Sequence, residues 1–87
     1  MPLSPELAAE AEGLIGGRGA APHVRLWLDA DTAPGDMADE ARRYLLRWRA
    51  VAESPLTDGP ALDACRIVVR SCEGVLAEAF SRQRQTA

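Results

Sequence analysis

The acid-rich stretch LWLDADTAPGDMADE, residues 26–40, carries the residue types that bind a hard cation. Asp29 and Asp31 form a D-x-D pair, and Glu40 follows nine residues after Asp31. Laid on a calcium loop, Asp29, Asp31 and Glu40 take the first, third and twelfth positions, where side-chain oxygens ligate. Ala33 then stands at the fifth position with no side-chain oxygen, and Pro34 at the sixth, where the loop needs glycine. Proline is locked at negative φ and cannot make that turn. A magnesium site on Asp29, Asp31 and Asp36 would suit a small phosphate-handling enzyme, with Arg25 and Arg43 as the cations to face the phosphate. The simplest assignment is an acidic helix entry. Asp36, Asp39 and Glu40 lie in or near a first turn, where negative charge offsets the helix dipole, and Thr32 or Asp31 can cap it.

The other reactive residue types are sparse. Cys65 and Cys72 are seven residues apart. On one helix that places them about 10.5 Å apart, too far for a disulfide, which needs Cα atoms within about 7 Å. Both lie on an apolar stripe, a setting that raises a thiol pKa and leaves it inert. A metal site on the two cysteines would need at least two further ligands, and His23 is the one histidine. Ser71 is not in a nucleophile elbow. GLIGGRG looks like a phosphate-cradling loop, but it follows a helix and lacks the G-K-[ST] ending. These residues nominate no catalytic, metal or cofactor-binding group.

The elements that must position them read as helices. Ser4 caps, Pro5 fits the first helical position and Glu6 suits the positive end of the dipole. Leu7, Ala8, Ala11, Leu14 and Ile15 form one stripe. Gly16 and Gly17 stop the helix, and residues 16–22 read as a linker. PHVRLWLDA fits a short helix with Val24, Trp27 and Leu28 on one face. It also fits a strand, but no second strand candidate exists, so a strand would need a partner subunit. From Met37 to Glu53, Met37, Ala41, Tyr44, Trp48 and Val51 step by four and three, widened by Ala38, Leu45 and Ala52. Asp39 can pair with Arg43, and Arg49 with Glu53, at i,i+4 spacing.

Pro55 disfavours continuation through Ser54. Thr57 or Asp58 can cap a last helix from Ala61 to about Arg84. Along it Leu62, Cys65, Val69, Cys72, Leu76 and Ala79 form a line, with Val68, Val75 and Phe80 beside it. Gly74 inside that helix costs about 1 kcal/mol against alanine, which a close helix crossing would explain. The expected fold is all-α: a small four-helix domain with a long C-terminal helical hairpin. Residues 1–87 form one domain, with residues 1–3 and 82–87 frayed. Trp48 is the strongest core candidate.

With 87 residues and a hydrophobic fraction of 47%, the chain suits one small folded domain rather than disorder. Net charge is −3, which disfavours nucleic acid as a partner. The charge is divided. Residues 1–40 hold eight acids against Arg18 and Arg25, whereas residues 41–87 hold five acids against eight arginines. The two halves attract each other on folding, or the Arg-rich half meets an anionic partner. Every basic residue is arginine, and lysine and asparagine are absent, a codon signature of a GC-rich genome such as an actinomycete's. No apolar run reaches the roughly 20 residues of a membrane span, and the N-terminal residues lack the pattern of a signal peptide, so the expected location is cytoplasmic.

The runs HVRLWL, DEARRYL and, after a Pro/Gly loop, ALDACRIVVRSCEGVL resemble a family of short helical actinomycete proteins labelled natural product biosynthesis proteins. His23, the Glu40-Ala41-Arg42 step and the spacing of Ala61, Ala64, Arg66, Arg70 and Ser71 carry the resemblance. Asp29-Ala30 stands where the family's Pro-Glu pair is expected. The resemblance implies no catalytic residues. The expected function is a non-enzymatic accessory or protein-interaction module, with a protein partner or self-association, no membrane and no cofactor. Its expected surface is Arg42, Leu46 and Arg49, because Leu46 points away from the apolar stripe among polar residues. The alternatives are a dimeric DNA-binding transcriptional regulator of ribbon-helix-helix type, with HVRLWL as the shared strand, and a small Mg-dependent enzyme.

Overall fold

A computed structural model describes residues 3–86. Among these are four helices and no strand: α1 Pro5–Leu14, α2 Pro22–Arg25, α3 Pro34–Glu53 and α4 Gly59–Thr86. The fold is all-α, with α3 and α4 forming the long hairpin. The extents are 44 × 22 × 14 Å. The long axis is that of α4, since 28 residues at about 1.5 Å each span about 42 Å. The short axis matches two layers of helices packed about 9 Å apart. The hairpin is therefore one layer, covered on one side by α1 and α2.

α1 begins as its sequence dictates. The Leu7 N–H donates to Ser4 Oγ at 3.2 Å, and Pro5 occupies the first turn. It ends at Gly16, whose φ of +102° is strained for a residue with a Cβ. Leu14 and Ala11 are buried and Leu7 half-buried, but Ala8 and Ile15 of the expected stripe are exposed.

Residues 22–25 form one helical turn rather than a strand. The expected face of Val24, Trp27 and Leu28 does not form. Trp27 adopts φ +57°, which ends the turn and throws the register out. Leu26 becomes the buried residue, and Trp27 stays 44% exposed.

α3 starts at Pro34, three residues before the expected Met37, and has no side-chain cap. The Thr32 hydroxyl instead donates to the Asp29 carbonyl at 2.7 Å. Ser54 takes an extended conformation before Pro55 and closes the helix, as the proline ring demands of the residue ahead of it. α4 then starts at Gly59, with φ +46°, and the Asp58 carbonyl accepts from the amides of Ala61 and Leu62.

The core lies between the two hairpin helices and under α1. Met37, Ala38, Ala41, Leu45 and Trp48 of α3 meet Cys65, Val68, Cys72, Val75 and Ala79 of α4, closed by Ala11, Leu14 and Leu26. On α4 the central line differs from the sequence expectation. Val68 and Val75 are buried, whereas Leu62, Val69 and Leu76 are half-buried. α4 also continues to Thr86 through the segment where composition predicts fraying. Its last turns run antiparallel beside the start of α3, where a Cβ on Gly35 would sit 3.1 Å from Gln83 Nε2. The frayed ends expected at residues 1, 2 and 87 lie outside the described residues. Gly74 faces open space rather than a helix crossing.

Candidate docking groove

Arg42, Leu46 and Arg49 recur at four- and three-residue spacing along one flank of α3, so local helix geometry sets them in a row. The fold brings Glu73, Leu76, Ala77 and Phe80 of α4 opposite them, with Leu45 between, as the lining of one open groove. Neither α1 nor α2 contributes to it. Leu46 is 57% exposed and Phe80 40%. The Arg42 guanidinium lies 5.7 Å from the Phe80 ring centroid, within cation–π range. Arg49 Nη2 donates to Glu73 Oε2 at 3.0 Å, not to the expected Glu53. Arg43 likewise pairs with Glu40, at 3.3 Å, rather than Asp39. The groove continues past Val69 toward Arg66 and Arg70 at one end and past Phe80 toward Arg84 at the other. Its rim thus holds five arginines against Glu53 and Glu73.

The covered side of the hairpin is built differently. Trp48 is fully buried, and its indole N–H donates to Glu10 Oε2 at 2.7 Å. The same carboxylate oxygen faces Arg47 Nε at 3.5 Å. Trp27 packs closely against Gly13: a Cβ there would come 2.5 Å from the ring edge. The Arg18 guanidinium stacks 4.1 Å from the Trp27 centroid and donates to the Val24 carbonyl. Tyr44 closes the group, 5.8 Å from Trp27 between centroids. Burial raises the Tyr44 pKa, and the Glu10 and Glu40 carboxylates raise it further. Nearby, Arg25 Nη1 donates to Ser71 Oγ at 3.3 Å, and that hydroxyl donates to the Leu14 carbonyl at 2.7 Å. This chain ties the α1 C-terminus, where a cation offsets the helix dipole, to α2 and α4.

The sequence pattern missed Glu10 and the Arg25–Ser71 link. Only the first had a signal: a buried tryptophan needs an acceptor for its N–H, and acids able to supply one lie on α1.

The other reactive candidates do not assemble. Asp29, Asp31 and Asp36 are exposed, and among the described residues no group of three or more His, Cys, Asp or Glu gathers to hold a metal ion. His23 is half-buried in α2. Cys65 and Cys72 are free and buried. Burial pushes the Cys72 thiol up to about 11, with the Glu10 and Glu73 carboxylates adding to the rise. Burial likewise raises Cys65. Neutral, enclosed thiols are poor nucleophiles. No helix among the described residues is long and apolar enough to cross a membrane.

No family model matches the chain, and no solved structure matches it. It is similar to the isoniazid-induced protein IniC of Mycobacterium tuberculosis, in two strains. Each is 36% identical over 85 residues, an alignment covering 94% of this chain and 16% of the relative. The chain thus spans about a sixth of the length of the curated relatives it matches.

Proposed function

We propose that this chain is a non-enzymatic helical interaction module of an actinomycete, and that it presents the uncovered side of the α3–α4 hairpin to a protein partner. One observation carries the reading. Leu46 and Phe80 stand half in water across a groove floored by Leu45 and Leu76, on the side of the hairpin that has no covering helix. Single exposed apolar residues are ordinary, but apolar residues facing each other along a groove mark an interaction surface. On the covered side the hydrogen bonds of Trp48 to Glu10 and of Arg25 to Ser71 hold α1 and α2 to the hairpin. The mycobacterial relative supports the actinomycete assignment. That relative is much longer, so its matching segment adjoins other chain that such a face can meet. A link to natural product biosynthesis is supported by the sequence resemblance.

The test is molar mass by light scattering across a concentration series, for the parent chain and for the Leu46→Asp and Phe80→Asp variants. A monomer at every concentration fits a groove open for a different protein. A dimer that both variants dissociate makes the partner a second copy. A dimer that neither variant disturbs places the contact elsewhere and overturns the groove assignment.

A further inference from the structure

We infer that the occupant of the groove is an acidic amphipathic helix of about three turns, seated on the hairpin opposite α1. This inference rests on the interaction-module reading and goes further by naming the partner's chemistry.

The protein carries its own example of such a helix. α1 lays Leu7, Ala11 and Leu14 on the hairpin and carries Glu6, Glu10 and Glu12. Its Glu10 pairs across helices with Arg47, at the edge of the buried apolar contact. The uncovered side offers the same elements, an apolar strip with a charged rim. Leu45, Leu46, Leu76 and Phe80 offer the apolar strip. Arg49 and Glu73 offset each other and Arg66 lies beside Asp63, so the rim is cationic through Arg42, Arg70 and Arg84 against Glu53.

The geometry sets the length. Val69 and Phe80 mark the apolar ends of the groove, and eleven residues of helix cover about 16 Å. A matching helix has apolar residues at i, i+3 or i+4, and i+7, with Glu or Asp flanking them. The thin dimension of 14 Å, two helix layers, leaves the third layer for it. A basic helix would set like charges against the arginines, which costs affinity and slows encounter.

The experiment titrates the full chain, isotope-labelled for NMR, with two synthetic capped helical peptides. They share one leucine face, and their flanking residues are all Glu in one and all Lys in the other. The expected result is that the Glu peptide moves the amide signals of Leu46, Leu76 and Phe80 and binds at least tenfold more tightly than the Lys peptide at low salt. Added salt should weaken it, because exposed charges are screened, and the double variant Arg42→Glu, Arg49→Glu should reverse the preference. If the Lys peptide binds the groove as well or better, the acidic occupant is wrong while the groove reading stands. If neither peptide moves those signals, both fail. If the Glu peptide moves Trp48 and Glu10 instead, it is displacing α1, and the inference is overturned.

Discussion

On one side of the α3–α4 hairpin the Trp48 ring is out of water and its N–H ends on Glu10. On the other, Leu46 and Phe80 stand half in water between arginines. The same two helices supply both sides. On the covered side the Trp48 N–H and the Ser71 hydroxyl each donate to a named acceptor, and the Trp27 ring is fixed between Gly13 and Arg18. On the open side, the ion pairs are exposed, and pairs of that kind contribute about 0–1 kcal/mol. Stability therefore resides in the α3–α4 core and its covered side, and the proposed binding face adds little to it. Substitutions should separate the two.

The largest effect expected is from Trp48→Ala, which removes the central core side chain and should cost about 3–5 kcal/mol in urea denaturation. A loss below about 1 kcal/mol would mean the covered side is not the stabilising one. The next is a pH effect. The Cys72 thiol is raised to about 11 from an ordinary 9.0, so the folded state holds a proton that the unfolded state releases first. The stabilisation this gives is complete below pH 9 and fades as pH rises toward 11. The urea midpoint should fall across that window, and Cys72→Ala should flatten part of the fall. With no lysine in the chain, Cys65 and Tyr44, both raised, are the other side chains titrating near this range.

Glu10→Ala should cost about 1–2 kcal/mol, since it strands the buried Trp48 N–H and breaks a charge-assisted hydrogen bond. Glu10→Gln should recover part of this loss. Gly74→Ala should stabilise by up to about 1 kcal/mol, because helix propensity improves and a Cβ there meets open space. A loss of melting temperature in that variant would show a packing role for Gly74. Leu46→Ser sits at the end of the series. It should change stability by no more than about 0.5 kcal/mol, and a larger loss would move Leu46 into the core and erase the contrast between the sides.

How much of this could be read beforehand varies with the range of the interaction. The Ser4 cap, the break at Ser54-Pro55 and the α3 stripe through Trp48 were legible, because each involves residues within a turn or two of one another. Arg42, Leu46 and Arg49 were legible as one flank for the same reason. The Trp27 conformation was not. It depends on Gly13 leaving room for the ring and on Arg18 stacking over it, and these contacts come from a different element. The pairing of Arg49 with Glu73 rather than Glu53 was equally hidden. An i,i+4 partner competes with a cross-helix one, and only the hairpin's register decides which carboxylate is nearer.

The sequence by itself determined that this is a small all-α protein, that α1 starts after Ser4 and α3 stops before Pro55, and that Arg42, Leu46 and Arg49 share one flank of α3. Helical periodicity, proline and capping chemistry are local, and they act before any tertiary contact forms. Only the tertiary structure decided how each helix is rotated about its axis. That rotation buried Val68 and Val75, left Leu76 at the groove, and brought Phe80 across from Leu46. It is set by the packing of neighbouring helices against one another, and periodicity within a single helix carries no information about its neighbours.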